Sequence, residues 1–503
     1  MRYTVTASPG DITAVALFTT EVEVPGLANG TSYTFTVRAT NVAGDGPESE
    51  ASLPVTTPDV PGAPRIIEVV PRNSEMDVFW EPPASEEDYR VHSYSVEVRS
   101  GASQRSVLAN SSSVVLRGLS PNTEYEVVVR AMNGVGMGPP SPAYAARTRC
   151  DRIGLARPIQ VPMGAALRGL AVGDFDADGK VDIAGTRMAE RAVASFLGRG
   201  DATFVQTGDF QVGADPESVI TEDFNGDGKP DLAVLNTRSQ MVSVLLGLGD
   251  GTFEATSSTL TGAGPWAMTA ADFDGDGNQD LFTVNTSLST GASTLSWLQG
   301  NGRGFFSRSD FSLPFAALSV TTADFDGDGH LDVVLPASLG YDFYVYLGAG
   351  DGSFRSGYRY SALNSPRRVV AADLNNDGKP DLLVTTKRDT FNAPAVSVYL
   401  GKGDGTFEPA KRHEVVGEVD ALVVADFNAD GRLDVAATIT AANTVSLLPG
   451  LGDGSLSERH DVVLEGMPRG LVAGKFSTGD KVSLMVSQEG RDSLTLLTAT
   501  CLP

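Results

Sequence analysis

Six nine-residue segments place side-chain oxygens at positions 1, 3, 5 and 9 and a glycine at position 6. Their donors are Asp174, Asp176, Asp178 and Asp182; Asp223, Asn225, Asp227 and Asp231; Asp272, Asp274, Asp276 and Asp280. The other three offer Asp324, Asp326, Asp328 and Asp332; Asp373, Asn375, Asp377 and Asp381; Asp426, Asn428, Asp430 and Asp434. Position 7 would add a backbone carbonyl from Lys180, Lys229, Asn278, His330, Lys379 and Arg432. Hard cations such as Ca2+ take several oxygens from alternate positions of a loop that a glycine lets turn sharply. One such segment reads equally well as an Asp/Gly-rich surface turn. Six in register point to calcium, at about six sites.

An EF-hand would need a bidentate Glu at position 12 and a flanking helix on each side. Position 12 is instead Gly185, Val234, Thr283, Leu335, Val384 and Ala437. Short apolar runs such as Asp231-Leu-Ala-Val-Leu follow, so each loop joins two strands.

The loops recur at intervals of 49, 49, 52, 49 and 53 residues, and a further 49 reaches Lys475. There Lys475, Ser477 and Ser483 replace three ligands, so the seventh unit keeps the frame without the acids. A Gly-rich signature follows each loop: Leu197 to Phe204, Leu246 to Phe253, Leu347 to Phe354 and Leu400 to Phe407, with looser copies at Leu298 to Phe305 and Pro449 to Leu456. Its glycines suit the positive φ of a tight hairpin. One unit is then four strands joined by a metal loop and a hairpin. Repeats of this size with four strands each predict a propeller.

Residues 150–503 thereby resemble the FG-GAP (VCBS-type) repeats of integrin alpha subunits and many secreted bacterial proteins. That resemblance implies a seven-bladed β-propeller whose ligands dock opposite the calcium loops. On this chain the implied face holds Trp266, Phe315, Tyr341, Arg367, Arg368, Arg388 and Arg469, with Arg187, Arg238 and Arg491. Aromatic and Arg side chains suit a sugar ring or an acidic group. The seventh unit ends after its third strand, and Leu155 to Val161 is expected to supply the fourth. Cys150 and Cys501, the only two cysteines, would then stand together as a disulfide where other blades have a hairpin.

Residues 1–57 and 58–149 resemble fibronectin type III modules. Each has a Leu, a tight turn and a Tyr opening the next strand, at Leu27 and Tyr33 and at Leu119 and Tyr125. The second also has Trp80 where the family places its core Trp. The first lacks the strands before its third, so half of one sheet is expected to be missing. The fold class is therefore all-β: one truncated and one complete sandwich before a propeller.

The formal net charge of −25 includes the 21 Asp ligands, and six divalent ions would move it to −13. A chain acidic in both states disfavours nucleic acid and anionic membrane as partners. No apolar run long enough to span a bilayer exists. Met1-Arg-Tyr-Thr-Val-Thr-Ala reads as a strand, whereas weak calcium loops suit millimolar calcium outside the cell. The expectation is an extracellular or cell-surface monomer within a larger secreted chain, its export signal upstream. His92, His330, His413 and His460 form no triad or zinc pattern, and no enzyme is expected. The leading reading is a calcium-stabilised binding or adhesion module for a protein or glycan. The alternative is a carbohydrate-targeting region of a secreted polysaccharide-acting enzyme. Arg199-Gly200-Asp201 fits the hairpin signature better than an adhesion tripeptide, and Asn29, Asn110 and Asn285 head glycosylation sequons.

Overall fold

The computed structural model describes residues 1–503 except 85–89, 151, 288–291, 363, 389–391, 478–480 and 503, and the side chain of residue 356. Strands supply the regular structure, and among the described residues the one helical turn is Thr440–Ala442. The chain divides into two compact units, Met1–Asp151 and Arg152–Leu502.

In the first unit, residues 1–57 form one sheet ordered Ile12–Leu17, Arg2–Ser8, Ser32–Asn41, Gly44–Glu48, with Val55–Thr56 also paired to Ser32–Asn41. This corrects the expectation that half of one sheet is missing: among the described residues no second sheet faces this one. Residues 19–31, with Pro25 and Gly26 and few consecutive apolar side chains, form no strand, and Phe18 is 85% exposed. The remaining residues form two sheets, Ser113–Arg117, Glu75–Glu81, Arg65–Pro71 and Met137–Pro140, Glu124–Met132, Ser93–Ser100, Ser103–Ala109, with Tyr144–Arg147 beside Glu124–Met132. Alternation in Glu75–Glu81 sends Met76, Val78 and Trp80 into the core with Val96, Val127 and Val129. Trp80 meets Tyr94 edge-on at 5.1 Å. Both modules close the expected tyrosine corner: Tyr33 accepts the Ala28 N–H and Tyr125 the Ser120 N–H, each at 2.9 Å.

Among the described residues the second unit holds seven antiparallel sheets. In each of the first six, four strands follow one another in chain order, as in Pro216–Glu222, Asp231–Asn236, Met241–Gly247 and Phe253–Leu260. Every acidic loop joins the first strand to the second, and its position-9 Asp opens that second strand. The second strands are largely apolar between their opening Asp and their polar ends because both faces are covered: Asp231–Asn236, Asp381–Thr386 and Asp434–Ile439 are buried at every residue. That burial takes in Asn285, fully enclosed in Asp280–Thr286, so its sequon is closed to glycosylation in the folded chain.

The seventh sheet consists of Pro468–Gly474, Ser483–Gln488 and Ser493–Cys501, and the segment preceding the first sheet completes it. Ile153–Leu155 and Ile159–Pro162 both pair antiparallel with Ser493–Cys501. His460 Nδ1, from the sixth sheet, accepts the Leu155 N–H at 3.0 Å. Cys150 and Cys501 are both disulfide-bonded and, being the only cysteines, are bonded to each other.

Neighbouring sheets meet through a repeated contact. The buried Phe at position 2 of one loop packs edge-on against the hairpin Phe of the next sheet, as Phe175–Phe253 at 5.3 Å, Phe224–Phe306 at 5.7 Å and Phe325–Phe407 at 5.5 Å. Each position-2 carbonyl also accepts a hairpin N–H, from Gly251, Gly304 and Gly405 respectively. The seventh sheet meets the first in the same way, with Phe476–Phe204 at 6.3 Å and Ala202 N–H to Phe476 O at 2.7 Å. In the third sheet Phe306 occupies this place while Phe305 is 51% exposed, so the looser signature there runs one residue later than the sequence suggests. Arg303, in place of the usual Asp, blurs its frame.

The hairpin glycines serve two purposes, only one of which was expected. Gly249 and Gly251 do adopt positive φ, both 79°. The first glycine of each hairpin does not: a Cβ on Gly198, Gly247, Gly300, Gly348, Gly401 or Gly450 would lie 2.0 to 2.2 Å from the position-8 carbonyl oxygen of the adjoining loop. Close approach of hairpin to metal loop excludes a side chain there. Gly247→Ala should therefore cost about 1–3 kcal/mol in urea unfolding, whereas Leu248→Ala, at an exposed neighbour, should stay within about 0.5 kcal/mol. Equal effects would contradict this reading.

Candidate metal centres

The six loops share one hydrogen-bond scheme that turns side-chain oxygens inward before any ion is considered. Position-1 Oδ2 accepts the glycine N–H at position 6, from Gly179, Gly228, Gly277, Gly329, Gly378 and Gly431, at 2.8 to 2.9 Å. Position-5 Oδ1 accepts the position-7 N–H, from Lys180 at 2.9 Å through Arg432 at 2.9 Å. Position-3 Oδ1 takes the position-5 N–H, whether the residue is Asp176 or Asn225. Asn can replace Asp at position 3 because this turn needs only an acceptor.

Position 9 is different in kind. Asp182, Asp231, Asp280, Asp332, Asp381 and Asp434 have no solvent exposure. In each, one oxygen accepts the position-2 N–H and the other the N–H of the first hairpin glycine; for Asp231 these are Phe224 at 2.9 Å and Gly247 at 2.7 Å. Burial pushes these carboxyls up, against the pull of those N–H groups, to about 6 for Asp182, Asp231, Asp280 and Asp332 and about 7 for Asp434. The neighbouring loop aspartates add to the rise. Hydrogen bonds that align a buried carboxylate do not replace a counter-charge.

Three loops gather carboxylate oxygens within 4.8 Å of one another: Asp174, Asp176 and Asp182; Asp272, Asp274 and Asp276; and Asp324, Asp326 and Asp332. Oxygen-only donors, mixed carboxylate and amide, with a glycine-permitted turn, fit a hard cation of calcium size. The loops are not identical. Lys180 Nζ donates to Asp178 Oδ2, Gln299 Nε2 to Asp274 Oδ2 at 2.6 Å, and Arg355 Nη2 to Asp328 Oδ2. In the seventh sheet Ser483 stands at position 9, and its buried Oγ has no hydrogen-bond partner among the described residues; residues 478–480 lie outside them.

At the other end of these sheets lie the residues expected to meet a ligand, and most of their charge is already paired. Arg187 bonds Asp209 at 2.6 Å, Arg367 bonds Glu418 and Arg491 bonds Glu465, both at 2.9 Å, and Arg469 bonds Glu489. Phe315 stacks on Tyr344 at 4.2 Å. Trp266 is 41% exposed with Nε1 on Thr286 O, and Tyr341 is 59% exposed. Arg238 and Arg388 are exposed, Arg388 beside a cleft of about 460 Å³ lined by Pro394, Val416, Glu418 and Thr440. Arg368 donates to two carbonyls, Asp420 O at 2.8 Å and Leu318 O at 3.5 Å. Asp201, in the Arg-Gly-Asp stretch, accepts both the Thr203 N–H and hydroxyl, so its carboxylate holds the hairpin. The position-2 Phe clasp was not anticipated, although a Phe at Phe175, Phe224, Phe273, Phe325, Phe427 and Phe476 was a visible signal.

The FG-GAP-like repeat model matches residues 174–234, 223–283, 272–335 and 337–384, and the fibronectin type III domain model matches residues 1–55 and 61–147. Receptor-type tyrosine-protein phosphatase F of Bos taurus is 37% identical over 131 residues, 25% of this chain and 7% of that one. Contactin-1 of Gallus gallus is 35% identical over 116 residues, 22% and 12%. The chain thus spans a small part of either relative, and the phosphatase similarity lies in the fibronectin region. Among solved structures, that of BBS1N in complex with ARL6DN, soaked with lead, covers 69% of this chain and 96% of its own at 10% identity, with a TM-score of 0.49.

The metal-free state has a definite pH signature. Native position-9 carboxyls bind protons more tightly than unfolded ones, so the stability they lend is full below about pH 4 and is lost as pH rises through 6 to 7. In EDTA the melting temperature should therefore be higher at pH 5 than at pH 7.5, and millimolar calcium should shrink or reverse the difference. A metal-free melting temperature that falls on acidification to pH 5 would contradict it.

Proposed function

Because this chain carries FG-GAP-like repeats at residues 174–384 behind two fibronectin type III domains at residues 1–147, we propose that it is a calcium-stabilised extracellular binding module. Its repeats close as a seven-bladed β-propeller over residues 150–503, and residues 1–57 and 58–149 act as fibronectin-type spacers. The single observation that carries this reading is the sixfold recurrence of one buried Asp whose two oxygens join metal loop to hairpin. The seventh-to-first contact through Phe476, Phe204 and Ala202 supports closure.

Calcium is held by the thirty loop residues named above, with side-chain oxygens at positions 1, 3, 5 and 9 and the carbonyl at 7. The ion offsets the repulsion of the clustered carboxylates and the cost of the buried one, which makes its part structural. Recognition falls to the opposite rim, through Trp266, Tyr341 and Arg388, with Arg368 between sheets. Both matched domain types are characteristic binding modules, so the partner is a protein or glycan. Among the described residues no helix is long and apolar enough to cross a membrane.

A panel of immobilised glycans and extracellular proteins, probed with the chain in calcium and in EDTA, tests this. Binding to at least one class that calcium restores and Trp266→Ala weakens is expected. Binding indifferent to both changes would overturn the assignment of calcium and of the rim.

A further inference from the structure

Five residues before each loop, the seven sheets carry Gly169, Ser218, Ala267, Ser319, Arg368, Ala421 and Gly470. Six are small, and one is the largest cation available. The positions are equivalent in the fold: the N–H groups of Gly169, Arg368, Ala421 and Gly470 donate to a hydroxyl of the second strand, on Thr186, Thr385, Thr438 and Ser487, at 2.8 to 3.0 Å. Space there is narrow. A Cβ on Gly169 would lie 2.4 Å from Glu217 O, and one on Gly470 2.4 Å from Arg168 O, each a carbonyl of the following sheet.

Arg368 reaches the corresponding carbonyl, Asp420 O, and also Leu318 O of the preceding sheet, so its guanidinium spans the fourth, fifth and sixth sheets. These contacts use two of its five N–H bonds. Among the described residues no carboxylate lies within ion-pair distance of it, although Arg168, Arg187, Arg367, Arg469 and Arg491 at the same ends of the sheets all have one. The nearby acids are engaged elsewhere: Glu217 by Arg168 at 2.9 Å, and Asp420 by the Thr440 N–H at 2.8 Å. Burial, then the charge of Arg367, act against the Arg368 cation, and Asp420 and Glu217 offset them only in part through space. A partly buried guanidinium without a directly paired carboxylate favours an anion that brings one.

Trp266 belongs to the same bonded run. Its Nε1 donates to Thr286 O, the Thr286 hydroxyl donates to Ala317 O at 2.7 Å, and the next residue, Leu318, receives Arg368. An exposed indole and a planar guanidinium without an ion pair, joined by one bonded run, match a sugar chain whose rings have apolar faces and carboxylates. We propose that Arg368 and Trp266 bind an acidic oligosaccharide built of uronic-acid residues, the guanidinium pairing with a sugar carboxylate and the indole covering a ring face along the same chain. This rests on the reading of that rim as the recognition face.

Titration calorimetry of the calcium-loaded full chain with trigalacturonate and with its methyl ester tests it. The ester keeps the rings and removes the charge. Wild type should prefer the acid by about tenfold, and Arg368→Gln should bring acid down to the ester's affinity while leaving ester binding unchanged. Arg367→Gln, whose charge is already held by Glu418, should change acid binding less than about threefold. Trp266→Ala should weaken both sugars. Should Arg368→Gln fail to fold, the wild-type preference for acid over ester still decides. Equal affinity for acid and ester overturns the carboxylate assignment, and with Trp266 still required it leaves the recognition face standing. Binding of neither sugar overturns the proposal, as does an acidic hexapeptide that binds as tightly without need of Trp266; the glycan and protein panel then judges the face separately.

Discussion

The architecture of the repeats rests on a carboxylate that has been taken out of water. The position-9 aspartate has no exposure, yet both its oxygens are used, one on the loop that precedes it and one on the hairpin that follows the next strand. A neutral side chain of the same shape could accept only part of this, since an amide offers one oxygen and a hydroxyl would leave an N–H unmet. Ser483 illustrates the difference: where it replaces Asp in the seventh sheet, its hydroxyl has no partner among the described residues. The same residue that makes the fold local therefore creates a local charge problem, which hydrogen bonds alone do not settle.

Once loop and hairpin are joined, the aromatic clasp makes one sheet depend on the next. Position-2 Phe faces outward from its own loop into the hairpin of the following sheet, and its carbonyl receives that hairpin's N–H. A disturbance of one loop would thus be felt in two sheets. At the end of the sheets away from the acidic loops the chain varies freely, with Arg168, Glu217, Trp266, Leu318, Arg367, Asp420 and Arg469 at equivalent places.

Much of the repeat unit was legible in the sequence because its ligands and glycines lie within nine residues of one another. The strand borrowed from Ile153–Pro162 was legible too, since a unit lacking its fourth strand needs one. What escaped depended on contacts between residues far apart. Phe175 and Phe253 are in different units, so their partnership has no local signature. The first hairpin glycine looked like another turn residue until the position-8 carbonyl occupied its Cβ site. The Arg side chains looked like a free surface, whereas Glu418, Asp209 and Glu465, each from a separate segment, neutralise three of them. The first fibronectin-type segment kept its Tyr33 corner but lacked an apolar run with which to face its sheet, and counting strands by analogy overstated what was there.

Calcium binding is the central claim, and calorimetric titration of the decalcified chain measures it directly. Saturable binding of about six ions per chain is expected, falling by about one when Asp231 and Asp227 are both changed to Asn, because each loop is a separate oxygen cage. No heat of binding at millimolar calcium, or a stoichiometry unchanged in that variant, would contradict it.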